Sequence, residues 1–383
     1  MSAAHTGHRD APDAALAIAG RGVVTAFGDS VGGVLDALCA GRTALAPLRS
    51  FDPERYGLRH AYEIDDRPAG QDVELRATGW LCRAVELAAA DAGLTDLSSV
   101  PVIVGTGLRE LRTAELRHRA GTPGPAADLY FDGALRRRFG TGRTYTVANA
   151  CAASLYACGL GADLLAAGEA DTVVVAGTDA ITESMLGLLD RVQPGHPDAV
   201  RPFDRERRGV LLGEGAAAVV LRRGGPAPAV LRSVALGCDA HHVTAPDPEG
   251  ILRTIQEAQD RAGLAPEEID LVLAHGTGTL LNDEAEAIAL SKAFAGCRPA
   301  VTAVKAATGH TSGTSGLLAL TLAVEALTTG RIPPTRGVRE LIPEAAGLDV
   351  VRDRERRVPL RTAQIDAFGF GGLNAVALVE GTA

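Results

Sequence analysis

Residues 144–176 read TYTVANACAASLYACGLGADLLAAGEADTVVVA, and this stretch decides the fold. Thr144 to Val147 is built of β-formers and reads as a short strand. From about Ala153 to Gly168, small and apolar residues follow a helical pattern, and Thr172 to Ala176 is strand-forming again. Strand, helix and strand in immediate succession mark a βαβ unit, and hence a parallel sheet. Cys151 stands at the first strand-to-helix turn. There the positive end of the helix dipole faces the thiol and favours thiolate, as a nucleophile requires. A structural core cysteine fits the same position, because free Cys is among the most buried residue types. Position alone leaves both open.

Upstream, the apolar run Leu16 to Val24 contains two glycines and predicts a first buried strand, leading into Thr25-Ala26-Phe27-Gly28. Val31, Val34, Leu35 and Leu38 fall at helical spacing, with Gly41 as a stop. Glu74 to Ala92 predicts a second helix, and Val100 to Val104 a buried strand before Gly105-Thr106-Gly107. The third glycine of a GxGxxG loop is missing there, which argues against a nucleotide site. Arg109 to Gly142, with Arg136-Arg137-Arg138, reads as a solvated arginine-rich face.

Downstream come a charged loop, Arg201 to Gly209, a strand, Ala216 to Leu221, and a Pro/Gly-rich passage, Gly224 to Pro228, that divides the chain. The expected organisation is a disordered leader at 1–14, an N-terminal half at 15–225 carrying the nucleophile, and a C-terminal half at 226–383. In the second half a helix (Gly250 to Ala262) precedes a strand (Ile269 to Ala274) that delivers His275. A helix (Asp283 to Phe294) and a strand (Val301 to Val304) lead to Lys305 and His310, and the apolar segment Leu317 to Leu327 is helical. Polar candidates thus sit at the carboxyl ends of strands, where α/β sheets carry their sites. No internal repeat is visible in the sequence.

Composition narrows the function. The 383 residues are 46% hydrophobic and 22% charged, as in a soluble globular protein. A net charge of −9 argues against general nucleic-acid binding. No apolar run approaches the roughly 20 residues that span a bilayer, and no signal-peptide pattern opens the chain, so no membrane association and a cytoplasmic location are expected. The cysteines lack CxxC spacing, which suggests neither zinc nor a disulfide framework. Of the 38 Lys plus Arg residues only Lys292 and Lys305 are lysine. A lysine kept against that bias suits a place needing a compact ammonium, although Lys292 also fits an ordinary surface.

His275 opens His275-Gly276-Thr277-Gly278-Thr279 directly after a strand, and His310 lies in Thr308-Gly309-His310-Thr311-Ser312-Gly313 before an apolar helix. Each histidine alone also fits a hydrogen-bonded core position. Together with Cys151 they form a candidate Cys/His nucleophilic site. At a helix N-terminus His310 would be held neutral, able to donate a hydrogen bond. The adjacent pair His241-His242 lacks the partners of a metal site.

These residues carry a family resemblance. GRGVVTAFG, NACAAS, RPFDRERRGVLLGEGAAAVVL, DAHHVTAPDP, AHGTGTLLNDEAEA, VKAATGHTSGTSG and AFGFGGLNA run in order from about residue 16 to 380. The chain resembles a β-ketoacyl synthase (ketosynthase) of the thiolase superfamily, in the ketoacyl-ACP synthase I/II branch. The resemblance implies a five-layered αβαβα fold of two similar halves with mixed, mainly parallel sheets. It implies a tight dimer, either a homodimer or a heterodimer with a ketosynthase-like subunit. It also implies an acyl carrier protein as partner, with substrates on its phosphopantetheine and no bound cofactor or metal. Cys151 would accept the acyl chain, and His275 and His310 would bind the malonyl thioester carbonyl. The backbone N–H groups of Cys151 and Phe370 would form the oxyanion hole, and Phe368-Gly369-Phe370 would gate the pocket. Thr277 and Thr279 would hold pantetheine, and Lys305 matches the lysine beside the second histidine.

Two departures stand out. Leu373 replaces the Thr of the commoner FGFGGTN, and Ala319 stands where a glutamate is usual nine residues beyond His310, so Asp283 or Glu286 is the candidate partner of Lys305. These departures, a trimmed stretch between the strand Ala216 to Leu221 and DAHHVTAPDP, and the Ala/Arg/Gly-rich composition lean toward polyketide rather than fatty-acid synthesis. A ketosynthase-like acyltransferase and a non-catalytic chain-length factor are the alternatives. Carrier-protein docking would fall to Arg136 to Arg138, or to Arg205, Arg207 and Arg208.

Overall fold

The computed structural model describes residues 15–68 and 71–382, so the expected leader lies outside the described residues. Ten α-helices are described: α1 (Val31–Cys39), α2 (Arg76–Asp91), α3 (Leu111–Arg119), α4 (Asp132–Phe139), α5 (Ala153–Ala166), α6 (Glu183–Val192), α7 (Pro248–Ala262), α8 (Leu280–Ala293), the single turn α9 (Lys305–Thr308) and α10 (Ser315–Thr329). The main sheet holds β1 (Leu16–Thr25), β2 (Val102–Gly105), β3 (Thr144–Val147), β4 (Thr172–Asp179), β5 (Gly215–Arg222), β6 (Ala229–Cys238), β7 (Leu271–Leu273), β8 (Ala300–Thr302), β9 (Asp349–Val350), β10 (Thr362–Gly369) and β11 (Leu373–Gly381).

The strand order is β9-β8-β7-β10-β11-β6-β1-β5-β4-β2-β3. Its centre is a short antiparallel joint between β1 and β6, from Leu16 opposite Leu231 to Ile18 opposite Ala229. Counted outward from that joint, each half uses the same order: first strand, last, last but one, second, third; the second half adds β9 beyond its third. Directions repeat too. The first and last strands are antiparallel, as are the last and the last but one, and the second is parallel to the last but one and to the third. The duplication absent from the sequence is therefore explicit in the topology.

Period-two alternation explains the layering. In β4, Val174 and Ala176 pack with Trp80, Leu81 and Val85 of α2 on the outer face. Val173 and Val175 point the other way, into a central layer shared with Leu155 of α5 and Leu317 and Leu320 of α10. In the second half Val272, Val376 and Leu378 face Ile251 and Ile255 of α7 and Leu290 of α8, while Ile365 and Ala377 face the central layer. The result is helix, sheet, helix, sheet, helix. The two glycines of β1 have a steric cause: a Cβ on Gly20 or Gly22 would lie 2.2 Å from the carbonyl oxygen of Ala88 or Ala84, so α2 rests directly on the strand backbone.

The arginine-rich stretch 109–142 is more ordered than the sequence suggests, holding α3 and α4. The closing hairpin β10–β11 is also hidden in the sequence, because Gln364 and Asp366 interrupt its apolar pattern although both are buried.

Candidate active site

After β3 the chain makes a 3₁₀ turn, Ala150–Ala152, and enters α5. Ala150 takes φ +48°, a left-handed conformation that costs a non-glycine residue about 1–2 kcal/mol. The turn sets Cys151 on the floor of a cleft also lined by His275, His310, Phe368 and Phe370. The second half repeats the device. Ser312 has φ +47° and opens a 3₁₀ turn, Ser312–Thr314, into α10. Where the first turn carries Cys151, the second carries Gly313, and a Cβ there would lie 2.4 Å from the backbone nitrogen of Gly107.

His310 precedes that second turn, and its backbone is fixed on both sides. Its N–H donates to Leu211 O at 2.9 Å, and Gly213 N–H donates to His310 O at 3.0 Å. The 211–214 segment is anchored in turn by Tyr62, whose N–H donates to Leu212 O and whose carbonyl accepts from Glu214 N–H, both at 3.0 Å. The Glu214 carboxylate takes the Arg76 fork at 2.9 and 2.8 Å deep in the core. So held, His310 brings Nε2 to 3.0 Å from Cys151 Sγ, with Nδ1 2.9 Å from Ser315 Oγ.

His275 leaves β7 on a loop clamped by two buried carboxylates of α8. Glu286 accepts from the N–H of His275 (2.6 Å) and of Gly276 (2.8 Å). Asp283 accepts from Thr277 (3.1 Å), Gly278 (3.2 Å) and, across the loop, Phe203 (2.7 Å). The ring of His275 stands edge-to-face with that of His310, centroids 5.4 Å apart, and 5.7 Å from the Phe368 ring. Lys305 donates to the His275 carbonyl, and its Nζ lies 3.3 Å from His275 Nδ1.

Burial governs the electrostatics. Desolvation and then the charge of Lys305 hold both imidazoles well below the ordinary histidine range, so they are neutral. For His310 the neutral state matches the expectation, but its cause is burial rather than a helix dipole. The thiolate expectation for Cys151 is corrected: burial pushes the thiol up to about 11, against the opposing pull of Lys305. Desolvation, the largest influence on the sulfur, favours the thiol over the thiolate expected at the helix start. The backbone N–H groups of Phe370 and Cys151 face its sulfur. Burial lowers Lys305 to about 8 and raises Glu286 to about 7.

Comparisons with known proteins place the chain in a family. Residues 13–227 match the beta-ketoacyl synthase N-terminal domain, and residues 228–339 match the C-terminal domain. The chain belongs to the β-ketoacyl synthase family. Among its relatives is the tetracenomycin polyketide synthase ketoacyl synthase alpha subunit of Streptomyces glaucescens, 32% identical over 95% of this chain and 96% of that one. Another is 3-oxoacyl-[acyl-carrier-protein] synthase 2 of Coxiella burnetii, 29% identical over 95% and 98%. A solved structure titled the ishigamide ketosynthase/chain length factor superposes with a TM-score of 0.88 at 33% identity, covering 97% of this chain and 100% of that one.

Within this family member, Thr277, Thr279 and the Phe368-Gly369-Phe370 segment also reach the cleft. Thr277 and Thr279 line it, their hydroxyls 2.9 Å apart, and Thr279 caps α8 by accepting from Asn282 N–H. Phe370 is exposed, at 44%, on the hairpin turn between β10 and β11, and Phe368 is buried. A Cβ on Gly369 would lie 3.2 Å from Cys151 N, so the backbone of the Phe368-Gly369-Phe370 segment touches the turn that carries Cys151. The Nδ1 of His242 accepts from Thr244 and Ala245 N–H at 3.1 Å each. That loop is tied to the turn between β10 and β11, with Gly371 N–H donating to Val243 O at 2.7 Å. Leu373 stands opposite Cys238 in the β6–β11 pairing and packs toward the central layer.

Three functional positions escaped the sequence reading. Asp179, at the end of β4, accepts from Thr106 Oγ1 (2.8 Å) and from the N–H groups of Gly107 (3.0 Å), Leu108 (2.7 Å) and Thr314 (3.2 Å), tying the turn beside Cys151 to the turn after His310. Asp366 faces Glu286 and Lys305 electrostatically; its Oδ1 accepts from Gln364 at 2.9 Å while its Oδ2 has no partner. Ser315 is the third. The only available signal was the unusual run of hydroxyl residues, Thr311, Ser312, Thr314 and Ser315. Asp283 and Glu286, candidate partners of Lys305, spend their oxygens mainly on loop N–H groups.

Proposed function

We propose that the chain joins a Cys151-bound acyl group to malonyl-ACP by decarboxylative Claisen condensation, giving β-ketoacyl-ACP in polyketide or fatty-acid biosynthesis. The observation that carries this reading is a thiol facing two neutral imidazoles and two backbone N–H donors in one cleft. In the first half-reaction the sulfur attacks an acyl thioester as its proton passes to His310 Nε2 and on to the departing pantetheine thiolate. In the second, the malonyl thioester carbonyl accepts hydrogen bonds from His275 and His310. Carbon dioxide leaves, and the enolate carbon attacks the acyl-Cys151 carbonyl. The oxygen of that tetrahedral adduct is held by the N–H groups of Cys151 and Phe370, and collapse returns a thiolate that takes up one proton. A preorganised donor of this kind is worth about 10²–10³ in rate. Neutral imidazoles suit this task, since they donate without trapping the malonyl carboxylate as an ion pair.

Lys305 acts on His275. As an ammonium it donates toward Nδ1, which leaves the imidazole proton on Nε2, facing the cleft. Thr277 and Thr279 line the arm of the incoming pantetheine, and Phe370 is the movable gate. The carrier protein docks by charge at the mouth, where Arg207 bonds the carbonyls of Thr279 and Leu280 at 3.2 and 3.0 Å, beside exposed Arg205 and Arg208. Arg136 instead lines a separate depression with Tyr145 of β3. There the unpaired edge of β3 offers a backbone template for a second ketosynthase-like chain, identical or not.

The test incubates the protein with acyl-ACP and malonyl-ACP and follows both by mass spectrometry. Acyl mass on Cys151 and a β-ketoacyl product with loss of carbon dioxide are expected. Acyl mass on another residue, or transfer to an amine or hydroxyl without decarboxylation, overturns the reading.

A further inference from the structure

The two histidines differ in what faces Nδ1. His275 meets the Lys305 ammonium, which can only donate, so while Lys305 is protonated the other nitrogen of His275 carries the N–H. His310 meets the Ser315 hydroxyl at 2.9 Å, which can donate or accept. The same Oγ lies 2.8 Å from the Ser312 carbonyl and 3.3 Å from Thr311 Oγ1, in a buried pocket at the first turn of α10. One hydroxyl proton therefore has two acceptors within 2.9 Å, Ser312 O and His310 Nδ1, with Thr311 Oγ1 farther off at 3.3 Å.

We infer that Ser315 is a positioning residue that selects the tautomer of His310 by turning its hydroxyl between these two acceptors. With the proton on Ser312 O, the Ser315 lone pair faces Nδ1 and favours Nδ1–H. Nε2 is then a bare lone pair, 3.0 Å from Cys151 Sγ, able to accept the thiol proton. With the proton turned to Nδ1, Nε2 carries the hydrogen and becomes a donor to a thioester carbonyl. One hydrogen bond replaces another, so neither position is strongly preferred and the group facing Nε2 decides. A thiol selects the acceptor form, and an acylated sulfur with a carbonyl alongside selects the donor form. The ring holds one proton in both states, and the exchange between its nitrogens adds or removes none. This rests on the two half-reactions proposed above, which ask opposite roles of His310 and a single role of His275.

Ser315→Ala and Ser315→Thr are compared with wild type in ¹⁵N-histidine-labelled protein, before and after acylation of Cys151 with an acyl-pantetheine thioester. In wild type the His310 ¹⁵N shifts should report Nδ1–H in the free protein and Nε2–H after acylation. In Ser315→Ala, where an Nδ1 proton would have no acceptor, Nε2–H is expected in both states. Alkylation of Cys151 by iodoacetamide and acyl loading should then slow at least tenfold, with malonyl-ACP decarboxylation within about threefold of wild type. Ser315→Thr, which keeps the hydroxyl, should restore loading. One unchanging tautomer in wild type, equal loss in both half-reactions, or undiminished loading in Ser315→Ala overturns the inference. The tautomer of the free protein and the iodoacetamide rate need no condensation. Failure to form a β-ketoacyl product would therefore count against the proposed reaction, while those two measurements decide the role of Ser315 independently.

Discussion

The two halves of the molecule share a strand order and a strained 3₁₀ turn into a central helix, yet they supply opposite chemistry. The first half carries Cys151 in the turn after its third strand and keeps the turn after its second strand bare, as Thr106-Gly107. The second half puts Gly313 where the nucleophile would be and places His275 after its second strand. The clamps differ as well. Asp179 from a strand end holds the first loop, while Asp283 and Glu286 from a helix hold the second. A duplicated frame thus provides two platforms, and divergence at a few turn positions puts a thiol on one and imidazoles on the other, which in the proposed reaction are the nucleophile and the donors.

The sharpest way to break this division is to remove the nucleophile. Cys151→Ala should abolish the acyl adduct seen by mass spectrometry and cut condensation on the order of 10⁴-fold. Residual loading on any second-half residue would contradict it. The histidines come next. His275→Ala should lower malonyl-ACP decarboxylation about 10²–10³-fold while Cys151 still loads within a few-fold, whereas His310→Ala should lose both steps. Equal behaviour of the two variants in single-turnover assays would erase the distinction between them.

The clamps give a smaller, pH-dependent effect. Burial raises the Asp179 carboxyl to about 6 from its ordinary 3.8. The folded state therefore binds the extra proton, its benefit is complete below pH 4, and stability is lost as pH rises through 6. The swing attributable to Asp179 is roughly 3 kcal/mol. Asp179→Asn should remove that slope from urea-unfolding free energies measured between pH 4 and 7, and an unchanged slope would show that the carboxylate is not the source. Smallest is the steric prediction. Gly313→Ala pushes a Cβ against the Gly107 backbone and should cost about 1–3 kcal/mol in the same assay. Unaltered stability would mean that the two turns are free to move apart.

Much of the fold was legible because periodicity reports burial. The runs Thr172 to Ala176 and Leu317 to Leu327 belong to elements buried on nearly every side, so their apolar character is unbroken. The hairpin of β10 and β11 was hidden for the opposite reason: Gln364 and Asp366 are polar yet buried, Gln364 bonds Asp366, and Asp366 faces Glu286 and Lys305 from far away in the chain. Cys151, His275 and His310 were legible from residue type and placement at strand ends. Asp179, Asp366 and Ser315 were not, since an ordinary Asp or Ser gains its role only from the groups packed around it.

The sequence by itself determined the alternation of strands and helices, the three reactive side chains and the motifs that align them with a family. These depend on local propensity, spacing and residue chemistry, which a chain carries wherever it folds. Tertiary structure alone decided that the halves are topological repeats, that Cys151 rests as a thiol, and that one histidine faces an ammonium and the other a hydroxyl. Protonation and hydrogen-bond polarity depend on burial and on partners up to 159 residues apart, as with Cys151 and His310. Only packing brings those together.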